Sequence, residues 1–107
     1  MKKIISLLVI IAIISISISI DTEASVIRGR KYYVKLLKKQ CGFKGDVMGK
    51  YHTKQEWRDT YRNGTMGLEI KRICPKAPNI VSKKKQKHLY HFLSSFASDS
   101  GNIPSCN

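Results

Sequence analysis

Three cysteines, three histidines and a lysine run are the residues whose types and spacing could do chemistry in this chain. Cys41, Cys74 and Cys106 could make a disulfide, ligate a metal or supply a nucleophile. No Cys-x-x-Cys and no His-Glu-x-x-His occurs. The sequence contexts of cysteine proteases are missing as well. His88 and His91 stand three apart and could share a metal, with His52 or a cysteine completing the set, but closely spaced histidines are more often structural. The acids are scattered, with no close pair for general acid and base work. No phosphate-binding glycine motif is present. The residues therefore point away from an enzyme.

The run Lys83, Lys84, Lys85 and Lys87 carries a physical cost. Cations crowd the start of an expected helix, where the macrodipole is already positive. An anionic contact would relieve that repulsion. Arg28, Arg30 and Lys31 add to the same charge. The whole chain has 20 Lys and Arg against 7 Asp and Glu, a net charge of +13 over 107 residues. Such an excess favours encounter with anionic partners.

The first residues bear on the compartment. Lys2 and Lys3 precede an apolar run over 4–20, and Thr22 and Ala24 have the small side chains of a cleavage site. This reads as a signal peptide over 1–24, cut between Ala24 and Ser25. The alternative is an uncleaved anchor formed by 4–20, which is slightly short for a span of about 20 residues. Export places the chain in a periplasm or outside the cell and argues against an intracellular nucleic-acid role. The expected partner is an acidic protein or an anionic envelope surface. Removing 1–24 deletes two charges of each sign, so the mature chain, 25–107, keeps its +13.

A core of that size is marginal, and a disulfide would help it. Three cysteines allow one bridge with a free thiol, or an intermolecular bridge; the oligomeric state stays open. Cys41–Cys74 and Cys74–Cys106 close similar loops, so loop length does not choose.

The elements that must position these residues are helical throughout, giving an all-α domain of about four short helices. Tyr33, Leu36, Leu37 and Gln40 have helical spacing in a first helix over about 28–40. "CGFKGDVMGKYH" has Gly42, Gly45 and Gly49 close together and reads as a loop. Thr53 with Glu56 is a capping box that opens a second helix over 54–63, with Trp57 and Tyr61 on one face and Gly64 closing it. Met66, Ile70 and Ile73 mark a short third helix, weakened by Gly67 and ended by Pro75. Ser82 caps a fourth over 83–97, with Leu89, Phe92, Leu93 and Phe96 as its apolar stripe.

This order resembles small class I c-type cytochromes. In that family a G-x-x-x-Y helix leads to a haem-attachment cysteine. A Trp-bearing helix and a Met-Pro loop come next, and a terminal helix crosses the first. Here "GRKYY", Cys41, the "W…Y..G" helix, "ICP" and "HLYHFL" take those places over about residues 29–97. The attachment motif is absent: Cys41-Gly42-Phe43-Lys44-Gly45 lacks the second Cys and the His, and Cys74 precedes Pro75 where a ligand Met would stand. The resemblance implies the scaffold without covalent haem. It also implies a disulfide from Cys41 to Cys74, with Cys106 as second choice.

The function expected is thus an exported, non-catalytic basic binding or accessory protein of the cell envelope, without a cofactor. The alternative is a periplasmic electron-transfer or redox protein. It would use a redox-active thiol pair, or haem held non-covalently by His52, His88 or His91 with Met48 or Met66.

Overall fold

The computed structural model describes residues 22–101. The apolar run over 4–20 and Cys106 lie outside them. Among the described residues there are five helices and no strand, and none of the helices is long and apolar enough to cross a membrane.

The first helix, α1, covers 22–41 and includes a π turn at Val34–Lys38 and a last turn at Lys39–Cys41. It begins upstream of the expected start at 28, and residues 22–24 of the expected signal peptide are already helical. The π turn corrects a second expectation. Uniform helical spacing puts Gln40 on the buried face, but Gln40 is exposed and Cys41 is half-buried there instead. A π turn holds roughly one residue more than an α turn, so the last turn of α1 is rotated by about that residue's share of a turn. Gly42 then ends the helix with φ 78°, a left-handed conformation that suits glycine.

The stretch expected as a loop contains α2, Gly45–Gly49. Two of its glycines serve contact, not turning. A Cβ on Gly45 would lie 2.2 Å from the Phe92 ring, and one on Gly49 would lie 2.6 Å from the Leu93 carbonyl oxygen. Glycine density usually signals loops, but here it lets a short helix press against another.

Helix α3, Lys54–Arg62, opens with the expected capping box: the Thr53 hydroxyl accepts from Glu56 N–H, and the Glu56 carboxylate accepts from Thr53 N–H. Lys54 N–H donates to Asp99 Oδ1, which ties the tail to this helix start. Gly64 has φ 73°, as expected for the residue that closes the helix. Helix α4 is Met66–Ile73. Gly67 lies so close to residue 80 that a Cβ would meet the Ile80 carbonyl oxygen at 2.8 Å. Helix α5, Lys83–Ser94, is capped by Ser82 and ends before the expected 97.

α5 is the central element, packed by α2, α3 and α4, and crossed by α1 at Gly29. Tyr33, Leu37, Met48, Trp57, Met66, Ile70, Leu89 and Leu93 are fully buried. The polar tips in this core are satisfied: Trp57 Nε1 donates to Gly49 O at 2.8 Å, and Tyr33 donates to Phe43 O at 2.7 Å. The burial of Tyr33, with Asp46 nearby, raises its phenol pKa strongly.

Candidate anion-binding site at the crossing of α1 and α5

Gly29 sets the geometry. A Cβ there would lie 2.0 Å from His88 O and 2.6 Å from Phe92 Cβ, so the two helices meet almost backbone to backbone. Such an approach brings the cations of both helices together. Arg28 from α1 and Lys84 and Lys87 from α5 all act on His88, whose pKa is lowered first by burial and then by these three charges. His88 is held by Ser25, whose Oγ lies 2.6 Å from Nδ1, with both residues buried. Tyr32 stacks on the imidazole at 5.9 Å, and Lys85 Nζ lies 6.0 Å from the Tyr32 ring centre.

Arg28, Lys83, Lys84 and Lys87 are exposed and Lys85 is half-buried. Among the described residues none of the five is paired with a carboxylate, and the first turn of α5 contains no acid. Helix dipole and side chains therefore point the same sign of potential into solvent. Arg30 and Lys31 are exposed on α1.

His52 is engaged by two carboxylates. His52 Nε2 lies 2.7 Å from Glu69 Oε1, and His52 Nδ1 lies 3.8 Å from Glu56 Oε2. The imidazole meets the Trp57 ring edge-on at 4.9 Å. Arg72 Nε donates to both Glu69 oxygens at 2.9 and 3.0 Å. Arg72 is the main reason the Glu69 carboxyl titrates below its usual range, with His52 assisting. His91 is half-buried beside Tyr90. Among the described residues no group of three or more His, Cys, Asp or Glu could hold a metal ion.

Cys41 and Cys74 form a disulfide, with S–S 2.05 Å and Cα–Cα 5.6 Å. The bridge joins the end of α1 to the end of α4. It consumes the one thiol that the cytochrome resemblance aligns with haem attachment. Met48 and Met66 are fully buried in the core, while His52 and His88 are already hydrogen-bonded.

Sequence reasoning did not single out Ser25, Tyr32, Glu69 or Arg72. Glu69 and Arg72 had a local signal, opposite charges three apart on a helix. Ser25 and His88, 63 residues apart, had none. Comparison with protein-family models, with curated proteins and with solved structures finds no match.

Proposed function

We propose that this chain is an exported, non-catalytic basic binding or accessory protein of the cell envelope, built on a haem-less cytochrome c-like scaffold. Its partner is an acidic polypeptide surface, met by Lys83, Lys84, Lys85 and Lys87 of α5 together with Arg28 of α1. What supports the reading is the gathering of Arg28, Lys84 and Lys87 about one buried histidine, with no carboxylate among the described residues to neutralise them. Like charges placed close together raise one another's free energy, and an anion between them lowers it. The backbone contact at Gly29 and the Ser25–His88 contact hold the two helices together, so the cluster is preorganised.

The test is binding of poly-glutamate by the purified protein, as wild type and as K83A/K84A/K85A/K87A. The variant should bind roughly tenfold more weakly or worse, and wild-type binding should fall steeply with salt. Unchanged, salt-insensitive binding would reject the proposal.

A further inference from the structure

A second cationic surface lies on α1 and is separate from the α5 cluster. From Ala24 to Gly45 there is no acid, while Arg30, Lys31, Lys35, Lys38, Lys39 and Lys44 provide six cations beside Arg28, which belongs to the α5 cluster. Two large apolar side chains on this helix face solvent, Ile27 at 59% and Val34 at 50% exposure. They are seven residues apart, two helical turns, and so share one line along the helix. Arg30 and Lys31, three and four residues after Ile27, flank that line on either side, and both are exposed. At Val34 the π turn begins, and beyond it Val34, Lys38, Lys39 and Phe43 line an open groove. The apolar line thus continues from the helix into the groove, with cations along it.

An apolar seam bordered by cations on a convex helix is the pattern of a helix that lies in a membrane interface. The seam enters the acyl boundary, and the lysine stems extend sideways so that their charges stay among headgroups. A folded acidic protein would have to wrap a convex rod of about 30 Å, the length of 20 helical residues. A bilayer meets such a rod along its whole length. Glu23, one turn before Ile27, is the one carboxylate of α1, and from Ala24 to Gly45 no other is present to repel the phosphates.

We propose that the Ile27–Val34 face of α1, with the groove at Phe43, docks on the surface of a bilayer containing anionic phospholipid. The proposal stands apart from the α5 cluster and can fail without it.

Val34→Trp in the full chain provides a local reporter, since residue 34 is exposed and Trp57 is fully buried. Vesicles of phosphatidylglycerol and phosphatidylcholine, carrying nitroxide-labelled acyl chains, should quench the new tryptophan. Vesicles of phosphatidylcholine alone should not. Adding K35E/K38E/K39E should weaken the quenching affinity by about tenfold or more, and adding K83E/K84E/K87E, the same change in net charge, should weaken it distinctly less. Equal quenching on both vesicles, no quenching, or quenching indifferent to K35E/K38E/K39E would overturn the proposal. Displacement of the reporter from vesicles by poly-glutamate that binds this face would assign it to an acidic protein instead, and would also overturn it.

Discussion

Ser25 and His88 touch through a 2.6 Å contact between Oγ and Nδ1, both residues buried, at the place where α1 crosses α5. The contact gives the crossing a dependence on protonation. Ser25 and Tyr32 face the imidazole from α1, with Arg28 beside them, and Lys84 and Lys87 face it from α5. No anion among these groups favours the charged form.

Stability should therefore fall on mild acidification. His88 is depressed by burial first and by Arg28, Lys87 and Lys84 after it, and His91 is depressed by burial, Lys87 and His88. In the unfolded chain both titrate near the ordinary value of about 6.5. The unfolded state then binds more protons as pH drops below that value, so folding stability is full above it and declines towards the folded pKa. Glu69, depressed mainly by Arg72, adds a further loss of the same sign below about pH 4.5. Thermal denaturation at pH 7.5, 6.0 and 5.0 should show Tm falling, and His88→Asn should flatten the upper part of that fall. Parallel curves for the two proteins would contradict this role for His88.

Gly29→Ala should destabilise although alanine is the better helix former by about 1 kcal/mol. The added Cβ meets a carbonyl oxygen at 2.0 Å, and that oxygen belongs to the backbone of α5. Separating the helices should cost about 1–3 kcal/mol in urea denaturation. Gly42→Ala has open space around it but φ 78°, so a smaller loss of about 1 kcal/mol is expected there. A stabilised Gly29→Ala protein would show that the two helices do not approach this closely.

Reduction, or Cys41→Ser with Cys74→Ser, should lower stability by about 2–5 kcal/mol, since the bridge closes a loop over a sequence separation of 33. In a domain this small that corresponds to a Tm drop of roughly 10–25 °C. Non-reducing peptide mapping should recover the Cys41 and Cys74 peptides joined, and recovery of both as free thiols would refute the pairing.

Thr53→Ala should cost about 1 kcal/mol by removing one arm of the capping box. Trp57→Phe should cost more, about 1–3 kcal/mol, because the Gly49 carbonyl then loses its buried donor. Equal losses in urea denaturation would mean that the buried indole hydrogen bond counts for no more than an exposed cap.

Local signals in the sequence were reliable where one turn of helix contained all the partners. The Thr53–Glu56 box, the Ser82 cap and the left-handed Gly64 occur as read. They need only neighbours within a few residues, and those neighbours are present in any context. Gly45 and Gly49 misled because a glycine placed for close approach looks the same in sequence as one placed for a turn, such as Gly42. Only contact with Phe92 and Leu93 distinguishes them. The cation cluster was half legible: the α5 lysines are a visible run, but their meeting with Arg28 depends on a crossing that no local pattern records.

By itself the sequence determined the helical class, the strong positive charge and the caps, because periodicity, composition and single-turn hydrogen bonds are local quantities. Tertiary structure decided which cysteines pair, which glycines are contacts and which cations meet. Those depend on distances between segments tens of residues apart. A single crossing at Gly29 sets several of them at once, since the helix backbones can touch only where no side chain intervenes.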